Sequence, residues 1–303
     1  MSKVVGIGAC VVDTLITLPC FPKEDTKTRA ISTKTAGGGP VGTGLVAVSK
    51  LGVDASYIGA LSDDNGGKFL YDDFKKYSVG VDNIEVIPNC NSFASSIWLS
   101  EESGSRTCVY DKGNVPPLEL NSAQKKAIID AELLMVDGNE IEAAVKGAIL
   151  ARENGVKVLY DADGLYEGIE KLLENNDILI PSREFALKHT GCETVEKAAK
   201  KLYETYNTEV VVVTCGSDGG ILYDGNEFYS YPCYPVKVVD SNGAGDVFHG
   251  AFAAGVLKGF DYKKCCHFAS AVSAIKCTGV GARESVPDFE TVEKYLKENN
   301  YEL

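Results

Sequence analysis

The sequence lacks the features that mark nucleic-acid-binding, membrane and zinc proteins. It carries 30 Lys and Arg against 43 Asp and Glu, a formal net charge of −13, and so has no basic excess for nucleic acid or an anionic membrane. No apolar run approaches the roughly 18 residues of a membrane span. With three His and no Cys-x-x-Cys, no zinc-ligand spacing occurs. There is no Gly-x-x-x-x-Gly-Lys-[Ser/Thr] run, which excludes a P-loop. We therefore expect neither nucleic acid nor membrane as a partner.

The ten cysteines are scattered and mostly have apolar neighbours, as at Cys10, Cys108 and Cys215. This usage is typical of reduced, buried thiols and predicts a cytoplasmic protein. Lys3 and the apolar run 4–12 faintly resemble a signal sequence. Asp13 follows at once, however, and a buried first strand explains the run better.

A chain of 303 residues is long enough for one large domain with a small appendage. Strands separated by helices predict a mostly parallel sheet covered on both faces, a three-layer α/β/α sandwich. Two weakly periodic strand groups, 14–35 and 93–111, do not fit that sheet and are expected to pair as a small β-lid. The core then comprises 1–13, 36–92 and 112–303.

The hydrophobic patterning predicts the main elements of that core. The predicted strands are a first one up to Val12 and others over 55–60, 133–137, 156–162, 177–181 and 210–214. The predicted helices are 41–50, 65–77, 195–206 and three near 246–258, 262–277 and 288–298. A further helix follows the strand 133–137 and has Ile141, Ala144, Val145, Ala148 and Ile149 at helical spacing. No internal repeat or low-complexity linker is present.

One stretch, Asp240-Ser241-Asn242-Gly243-Ala244-Gly245-Asp246, runs from a turn of small residues directly into an apolar helix. Free N–H groups and the dipole of a first helical turn attract an anion such as phosphate, and Gly243 and Gly245 allow its close approach. A carboxylate beside an anion site suits a base that takes a proton from an attacking hydroxyl. Taken alone, Asp246 is better explained as a helix-cap carboxylate.

Ligands of parallel α/β sheets bind beyond the carboxyl ends of the strands. Asp13, Thr214 and the Gly243 turn are all predicted at such ends, so they can meet in one cleft. For Asp13 a turn cap is the alternative, and for Thr214 an ordinary strand exit. His249 shares the helix face of Asp246 and is assigned to packing.

Two runs resemble the signatures of the ribokinase-like (PfkB-type) carbohydrate kinases. The run 240–246 with Phe248 and Gly250 is similar to the C-terminal signature of that family. The run from Gly38 through Leu51-Gly52 is similar to the N-terminal signature, and the two match in order and spacing across nearly the whole chain.

Two shorter phrases, Val-Phe-His-Gly-Ala at 247–251 and Ala-Ile-Lys-Cys-Thr at 274–278, resemble the branch that contains sulfofructose kinase. That branch clamps an anionic sugar with basic residues, but no Arg lies between Val136 and Glu140, where part of the clamp is expected.

The resemblance implies a role for each matching position. Asp246 would be the base that accepts the proton of the sugar hydroxyl, and the N–H groups of Gly243, Ala244 and Gly245 would hold the γ-phosphoryl group of ATP. The implied sugar ligands are Asp13, Gly38, Gly39 and Thr43. The implied nucleotide contacts are Thr214, Gly216, Gly219 and Ser182. The implied cation ligands are Glu184 for Mg²⁺, and Asp240, Asn242 and Gly281 for a monovalent cation such as K⁺. Many members dimerise through the lid, which implies a homodimer here.

Three departures from the family pattern change the expected chemistry. Thr43 stands where Asn is usual, so one hydroxyl replaces an amide. The usual Asn-x-x-Glu near the metal is replaced by Ser182-Arg183-Glu184, and Ser241 and Asn242 replace Thr residues.

Several lid residues have two interpretations. The basic ones either meet phosphate or an acidic sugar or are solvated: Lys27, Arg29, Arg106 and Lys112. Trp98 either stacks on a sugar or lies in a dimer contact.

The sequence therefore predicts an ATP-dependent kinase that phosphorylates a primary hydroxyl of a carbohydrate. A nucleoside kinase on the same fold and a non-catalytic sugar- or nucleotide-binding regulator are the alternatives. A dinucleotide-dependent oxidoreductase would need Gly-x-Gly-x-x-Gly after the first strand, and Gly6-x-Gly8 is followed by Val11 instead.

Overall fold

The computed structural model describes residues 3–303, in which strands and helices alternate. The strands are β1 (Val4–Ile7), β2 (Val11–Leu18), β3 (Ser32–Gly38), β4 (Ala55–Tyr57), β5 (Gly59–Ser62), β6 (Ile84–Ile87), β7 (Ala94–Ser100), β8 (Arg106–Asp111), β9 (Leu133–Val136), β10 (Lys157–Ala162), β11 (Ile178–Pro181), β12 (Val210–Thr214), β13 (Gly220–Tyr223) and β14 (Phe228–Tyr231). The helices are α1 (Pro40–Lys50), α2 (Asn65–Lys76), α3 (Ser122–Ile129), α4 (Ile141–Glu153), α5 (Ile169–Leu173), α6 (Arg183–Thr190), α7 (Val195–Tyr206), α8 (Ala244–Leu257), α9 (Tyr262–Lys276) and α10 (Phe289–Glu298).

Within residues 3–303 an eight-stranded sheet runs in the order β14-β13-β12-β11-β10-β9-β1-β4. Its strands are parallel from β12 to β4, and the β13–β14 hairpin adds an antiparallel edge. Successive side chains of a strand point to opposite faces, and here both faces are covered. Val4 of β1 packs in one core cluster with α1, α8 and α9, whereas Val5 packs in another with α4 and α7. The predicted three-layer α/β/α sandwich is confirmed.

A separate four-stranded sheet, in the order β3-β2-β7-β8, forms the small lid. It includes the segments 11–13 and 36–38, which the sequence division assigned to the core. The first core strand therefore ends at Ile7 and not at Val12, and Asp13 is the third residue of β2. At this break the Ala9 N–H donates to a distant side chain, Asp137 Oδ2, at 2.9 Å. The apolar run contains no sign of so distant a contact, so the end of β1 could not be predicted from it.

The structure differs from the prediction in three further respects. The predicted strand 55–60 is divided between β4 and β5, which belong to different sheets, and the Ile58 N–H between them donates to Gly6 O. The short helices α3, α5 and α6 were not predicted. The described cysteines are all free thiols, but the expectation that they are buried is wrong for most of them. Only Cys10, Cys265, Cys266 and Cys277 are buried, and Cys20, Cys108 and Cys233 are exposed.

Two glycines let α8 lie directly on α1. A Cβ atom on Gly250 would lie 2.1 Å from the Gly44 carbonyl oxygen, so any side chain there would separate the helices. Residues 247–255 of α8 are buried on every side, as a helix without a polar face must be. This packing holds the start of α8, and with it Asp246, at a defined place beside the sheet. Across residues 3–303, every helix is too short or too polar to cross a membrane.

Candidate functional site

The anion turn, residues 240–246, leads into α8. Gly243 is the N-cap residue with φ of 72°, and a Cβ atom there would lie 2.5 Å from that of Ala282. Among the described residues nothing accepts the N–H groups of Gly243 and Gly245. The N–H of Ala244 is engaged, because it donates to Ser241 O at 3.2 Å. The N–H groups of Gly243 and Gly245 are thus free backbone donors at the positive end of a helix.

Asp246 stands beside these donors on the first turn of α8. With Gly243 and Gly245 it lines a cavity of about 500 Å³. Desolvation by the surrounding protein raises the pKa of Asp246 to about 6, and the carboxylates of Asp163 and Asp13 add to the rise. The positive charge of His249 opposes it. The structure therefore gives this carboxylate a pKa close to neutrality, as a general base requires.

His249 does more than pack, contrary to the expectation from sequence. Its Nδ1 lies 2.7 Å from Gly245 O and its Nε2 lies 2.9 Å from Ile180 O. A carbonyl oxygen only accepts hydrogen bonds, so both ring nitrogens are satisfied only when both carry a proton. The geometry therefore favours an imidazolium ion one helical turn from Asp246.

Asp161, at the end of β10, completes this charged group. Its Oδ1 lies 3.3 Å from His249 Nε2, and both side chains are buried. Burial raises the pKa of Asp161, and the neighbouring charge of Asp246 raises it further. Asp161 was not predicted as a site residue, because it lies inside the predicted strand 156–162 and not after it.

Three of the four expected nucleotide residues line the same cavity, and Gly219 is not among its lining residues. Thr214, Gly216 and Ser182 line it, and Thr214 and Ser182 form a bridge between neighbouring strand ends. Gly216 has φ of 59° and Gly219 has φ of 77°. A Cβ atom on Gly219 would lie 2.1 Å from Tyr231 O, so only glycine fits there.

Carboxylates of this cavity provide the donors that Mg²⁺ prefers. Glu184, in the first turn of α6, and Asp163 both line the cavity. The Glu184 carboxylate also accepts a hydrogen bond from Lys188 Nζ. Within residues 3–303 there is no group of three or more His, Cys, Asp or Glu that could hold a metal. Mg²⁺ in nucleotide sites is bound by one or two carboxylates, water and phosphates, and the donor set fits that mode.

The expected sugar residues come together where the lid meets α1. Asp13 Oδ1 accepts a hydrogen bond from Ser95 Oγ at 2.6 Å, and a Cβ atom on Gly38 would lie 2.0 Å from Asp13 Oδ2. Burial raises the pKa of Asp13. Gly39, with φ of 88°, starts α1, and Thr43 Oγ1 is buried without a hydrogen-bond partner in the described chain. None of these four residues is among those that line the cavity beside Asp246, although the Asp13 charge contributes to the raised pKa of Asp246.

Two buried groups that were not predicted hold this region in place. Asp137 follows β9, and its carboxylate accepts N–H groups of Ala9 at 2.9 Å and Asn139 at 2.8 Å. Arg283 donates to Gly38 O at 2.6 Å and to Asp73 Oδ2 at 2.8 Å. Asp137 had the signal of an acidic residue after a strand, but the partners of Arg283 are distant in sequence and gave none.

One basic residue of the lid reaches the anion turn. Arg106 Nη1 donates to Ser241 Oγ at 3.2 Å and lines the same cavity as Asp246. Lys27, Arg29 and Lys112 are exposed to solvent. Of the two interpretations of these residues, the structure favours a site contact for Arg106 and solvation for Lys27 and Arg29, while Lys112 Nζ lies over the Tyr166 ring, 5.8 Å from its centroid.

Comparisons with known proteins identify the family of this chain. The family model for "pfkB family carbohydrate kinase" matches residues 1–288. The chain belongs to the PfkB family of carbohydrate kinases. As a member it is a phosphotransferase that uses an alcohol group as acceptor.

Individual relatives and solved structures are similar to this PfkB protein over most of its length. It is 27% identical to a 5-dehydro-2-deoxygluconokinase of Clostridium perfringens over 294 residues, covering 89% of this chain and 86% of the relative. A crystal structure of a putative ribokinase from Agrobacterium tumefaciens superimposes with a TM-score of 0.93 at 26% identity, covering 99% of both chains. The structure of Arabidopsis thaliana ribokinase complexed with ribose and ATP has a TM-score of 0.88 at 25% identity, covering 98% of this chain and 99% of that one. Membership of the sulfofructose kinase branch stays a prediction.

Proposed function

We propose that this protein transfers the γ-phosphoryl group of ATP to a primary hydroxyl of a sugar, with Asp246 as the general base. The observation that carries the proposal is one cavity that brings together Asp246, the free N–H groups of Gly243 and Gly245, and the Thr214 strand end. A base, an anion site and a nucleotide loop are the parts that phosphoryl transfer needs.

The sugar is proposed to bind where Asp13, Gly38, Gly39 and Thr43 meet. The Asp13 carboxylate accepts hydrogen bonds from sugar hydroxyls, while the Thr43 hydroxyl both donates and accepts. A buried hydroxyl without a partner costs about 1–3 kcal/mol, so the unpaired Thr43 Oγ1 supports a polar ligand nearby. Gly38 leaves the space in which Asp13 lies.

Asp246 is proposed to take the proton from the attacking hydroxyl. With a pKa of about 6 the carboxylate is mainly ionised at neutral pH and yet basic enough to accept that proton. The same carboxylate orients the hydroxyl toward the phosphoryl group, which matters because a loose transition state gains most from positioning.

The transferring phosphoryl group is proposed to be stabilised by the N–H groups of Gly243 and Gly245 and by the Arg106 guanidinium. These donors are already in place before the reaction, so little reorganisation is needed as charge develops. Mg²⁺, held through Glu184 and Asp163, would neutralise the charge of the phosphates.

ATP is the proposed donor because the nucleotide turn is preformed and because the Arabidopsis relative was solved with ribose and ATP. The lid is also the proposed site of homodimerisation. Its edge strand β8 exposes Val109 (65%) and Tyr110 (62%), and sedimentation of the native protein beside Val109→Glu tests this contact.

The decisive experiment measures ADP release over a panel of sugars and nucleosides for the wild-type protein and Asp246→Asn. We expect the variant to keep sugar and ATP affinity within about fivefold while turnover falls about 1,000-fold, because only the proton transfer and the orientation of the hydroxyl are lost. Asp82→Asn, the same change at an exposed turn, is the matched control and should behave as wild type.

Each other outcome has a defined meaning. Normal turnover of Asp246→Asn would show that another group is the base. Faster turnover of nucleosides than of any sugar would make the protein a nucleoside kinase. Ligand binding without ADP release from any acceptor would make it a sugar- or nucleotide-binding regulator.

A further inference from the structure

A buried ammonium group lies against the anion turn. Lys276 is the last residue of α9 and is 0% exposed. Its Nζ donates one hydrogen bond to Asp240 O at 2.8 Å and another to Asn242 O. These are two of the residues that the family resemblance assigns to a monovalent cation. A charged side chain of the protein therefore lies where the resemblance implies an ion.

The carboxylate of the implied cation site is also engaged. The Asp240 carboxylate accepts the Asn242 N–H through Oδ1 at 2.8 Å and the Gly281 N–H through Oδ2 at 2.9 Å. The two backbone carbonyls accept hydrogen bonds from Lys276, and the two carboxylate oxygens accept them from the backbone. The residues present therefore do not fit a bound K⁺ ion.

The fold fixes the ammonium group in this place from both sides. The N–H of Asp240 donates to Cys277 O at 3.1 Å, directly after Lys276. One turn earlier in α9, Ser273 Oγ donates to Ala244 O at 2.8 Å. The last turn of α9 is thus bonded to both ends of the anion turn.

The contact with Asn242 acts directly on the anion site. The Asn242 carbonyl and the Gly243 N–H belong to one trans peptide unit and point in opposite directions. A cation on that oxygen polarises the peptide and strengthens the N–H as a donor. Burial lowers the pKa of Lys276, and the charges of Asp240 and Asp246 counteract this.

We propose that Lys276 is a built-in replacement for the monovalent cation, a positioning residue that orients and polarises the Asn242–Gly243 peptide so that turnover needs no K⁺. This inference rests on the kinase activity proposed above. A tethered ammonium supplies one positive charge and three donors at a fixed site, whatever the ionic composition of the solution.

The test compares initial rates in KCl, NH₄Cl and choline chloride at one ionic strength. We expect the wild-type rate to vary less than about twofold between the salts. Lys276→Ala removes the ammonium and leaves a space beside two carbonyls. We expect the initial rate of Lys276→Ala to be about 100-fold below the wild-type rate in choline chloride, as when one preorganised charge contact is deleted. KCl or NH₄Cl should raise the rate of this variant by at least about tenfold. Lys237→Ala, which removes an exposed lysine near the same loop, should match the wild type in every salt.

Thermal melting in the same salts gives a readout without turnover. An ion that binds only the folded state raises Tm, so KCl should raise the Tm of Lys276→Ala above its value in choline chloride and leave the wild type unchanged. Activation of the wild type by K⁺ of more than about twofold would overturn the inference. So would Lys276→Ala with full activity in choline chloride. If this variant does not fold, the wild-type salt comparison still decides. If the wild type phosphorylates nothing, its melting still tests the cation site separately from the proposed activity.

Discussion

Asp246 carries its charge in surroundings that oppose it. Burial and nearby carboxylates raise its pKa to about 6, and the positive charge of His249 limits the rise. The bonds of His249 to Gly245 O and Ile180 O keep that charge one turn away from the carboxylate. At the residue scale, the pKa of Asp246 is thus set by desolvation, which raises it, and by the His249 charge, which lowers it. The pH dependence of turnover should follow this pKa.

The acid limb of the pH profile should report Asp246. The base form is lost when pH falls through the raised pKa, so kcat/KM is expected to be level above about pH 7 and to fall about tenfold per pH unit below about pH 6. Steady-state kinetics from pH 5 to 8.5 with a stable acceptor measures this limb. A level profile down to pH 5 would mean that no group with this pKa acts in the free enzyme.

Replacing His249 should move that limb to higher pH. In His249→Gln the positive charge is gone, so the pKa of Asp246 rises further, while kcat/KM at pH 8.5 stays within about fivefold of wild type. His189→Gln is the control, because His189 bonds Tyr206 and contacts no site residue. An unshifted limb in His249→Gln would show that the imidazole is neutral and only packs.

At the scale of elements, the contact between α1 and α8 sets the geometry of the whole site. Helix α1 begins at the sugar residues and α8 begins at the anion turn. Glycines on both helices allow the backbones to touch, since any Cβ atom on Gly250 would collide with Gly44 O. The distance between the sugar residues and the anion turn therefore depends on Gly250 having no Cβ atom.

Gly250→Ala should destabilise the protein even though alanine is the better helix former. Forcing the helices apart costs about 1–3 kcal/mol of unfolding free energy, more than the roughly 1 kcal/mol gained in helix propensity. Urea unfolding measures the difference. Gly245→Ala is the matched comparison, because a Cβ atom there meets no atom within 4 Å. Equal stability of the two variants would contradict this account of the packing.

At the scale of the molecule, Arg283 joins three distant parts of the chain. Its guanidinium bonds Asp73 of α2 and Gly38 of the lid strand β3, and it comes from the loop before α10. Both Arg283 and Asp73 are buried. Removing one charge leaves the other desolvated without a partner, which costs far more than losing a surface pair.

Arg283→Met should therefore lower the free energy of unfolding by about 3–5 kcal/mol, measured by urea unfolding. Lys126→Ala breaks the exposed Lys126–Asp130 pair and should change it by less than about 1 kcal/mol. A similar small loss in both variants would show that the buried pair is not a structural link.

The interpretation of the sequence succeeded where a local pattern carries the information. Alternating strands and helices predicted the doubly covered sheet, which the structure confirms. The anion site that the glycine turn predicts next to Asp246 stays a prediction. The signal failed where a break depends on distant contacts. Asp13 was placed at the end of a core strand, but it lies inside the lid because the Ala9 N–H bonds Asp137 and ends β1 early.

By itself the sequence determined the fold class, the family and the residues of the turn beside Asp246, because these depend on spacing within short segments. Only the tertiary structure decided which side chains set the charge there. Lys276 bonds Asn242, 34 residues earlier, and His249 lies beside Ile180, 69 residues earlier. Periodicity and motif spacing carry no information about such pairs, since the folding of the intervening chain brings them together.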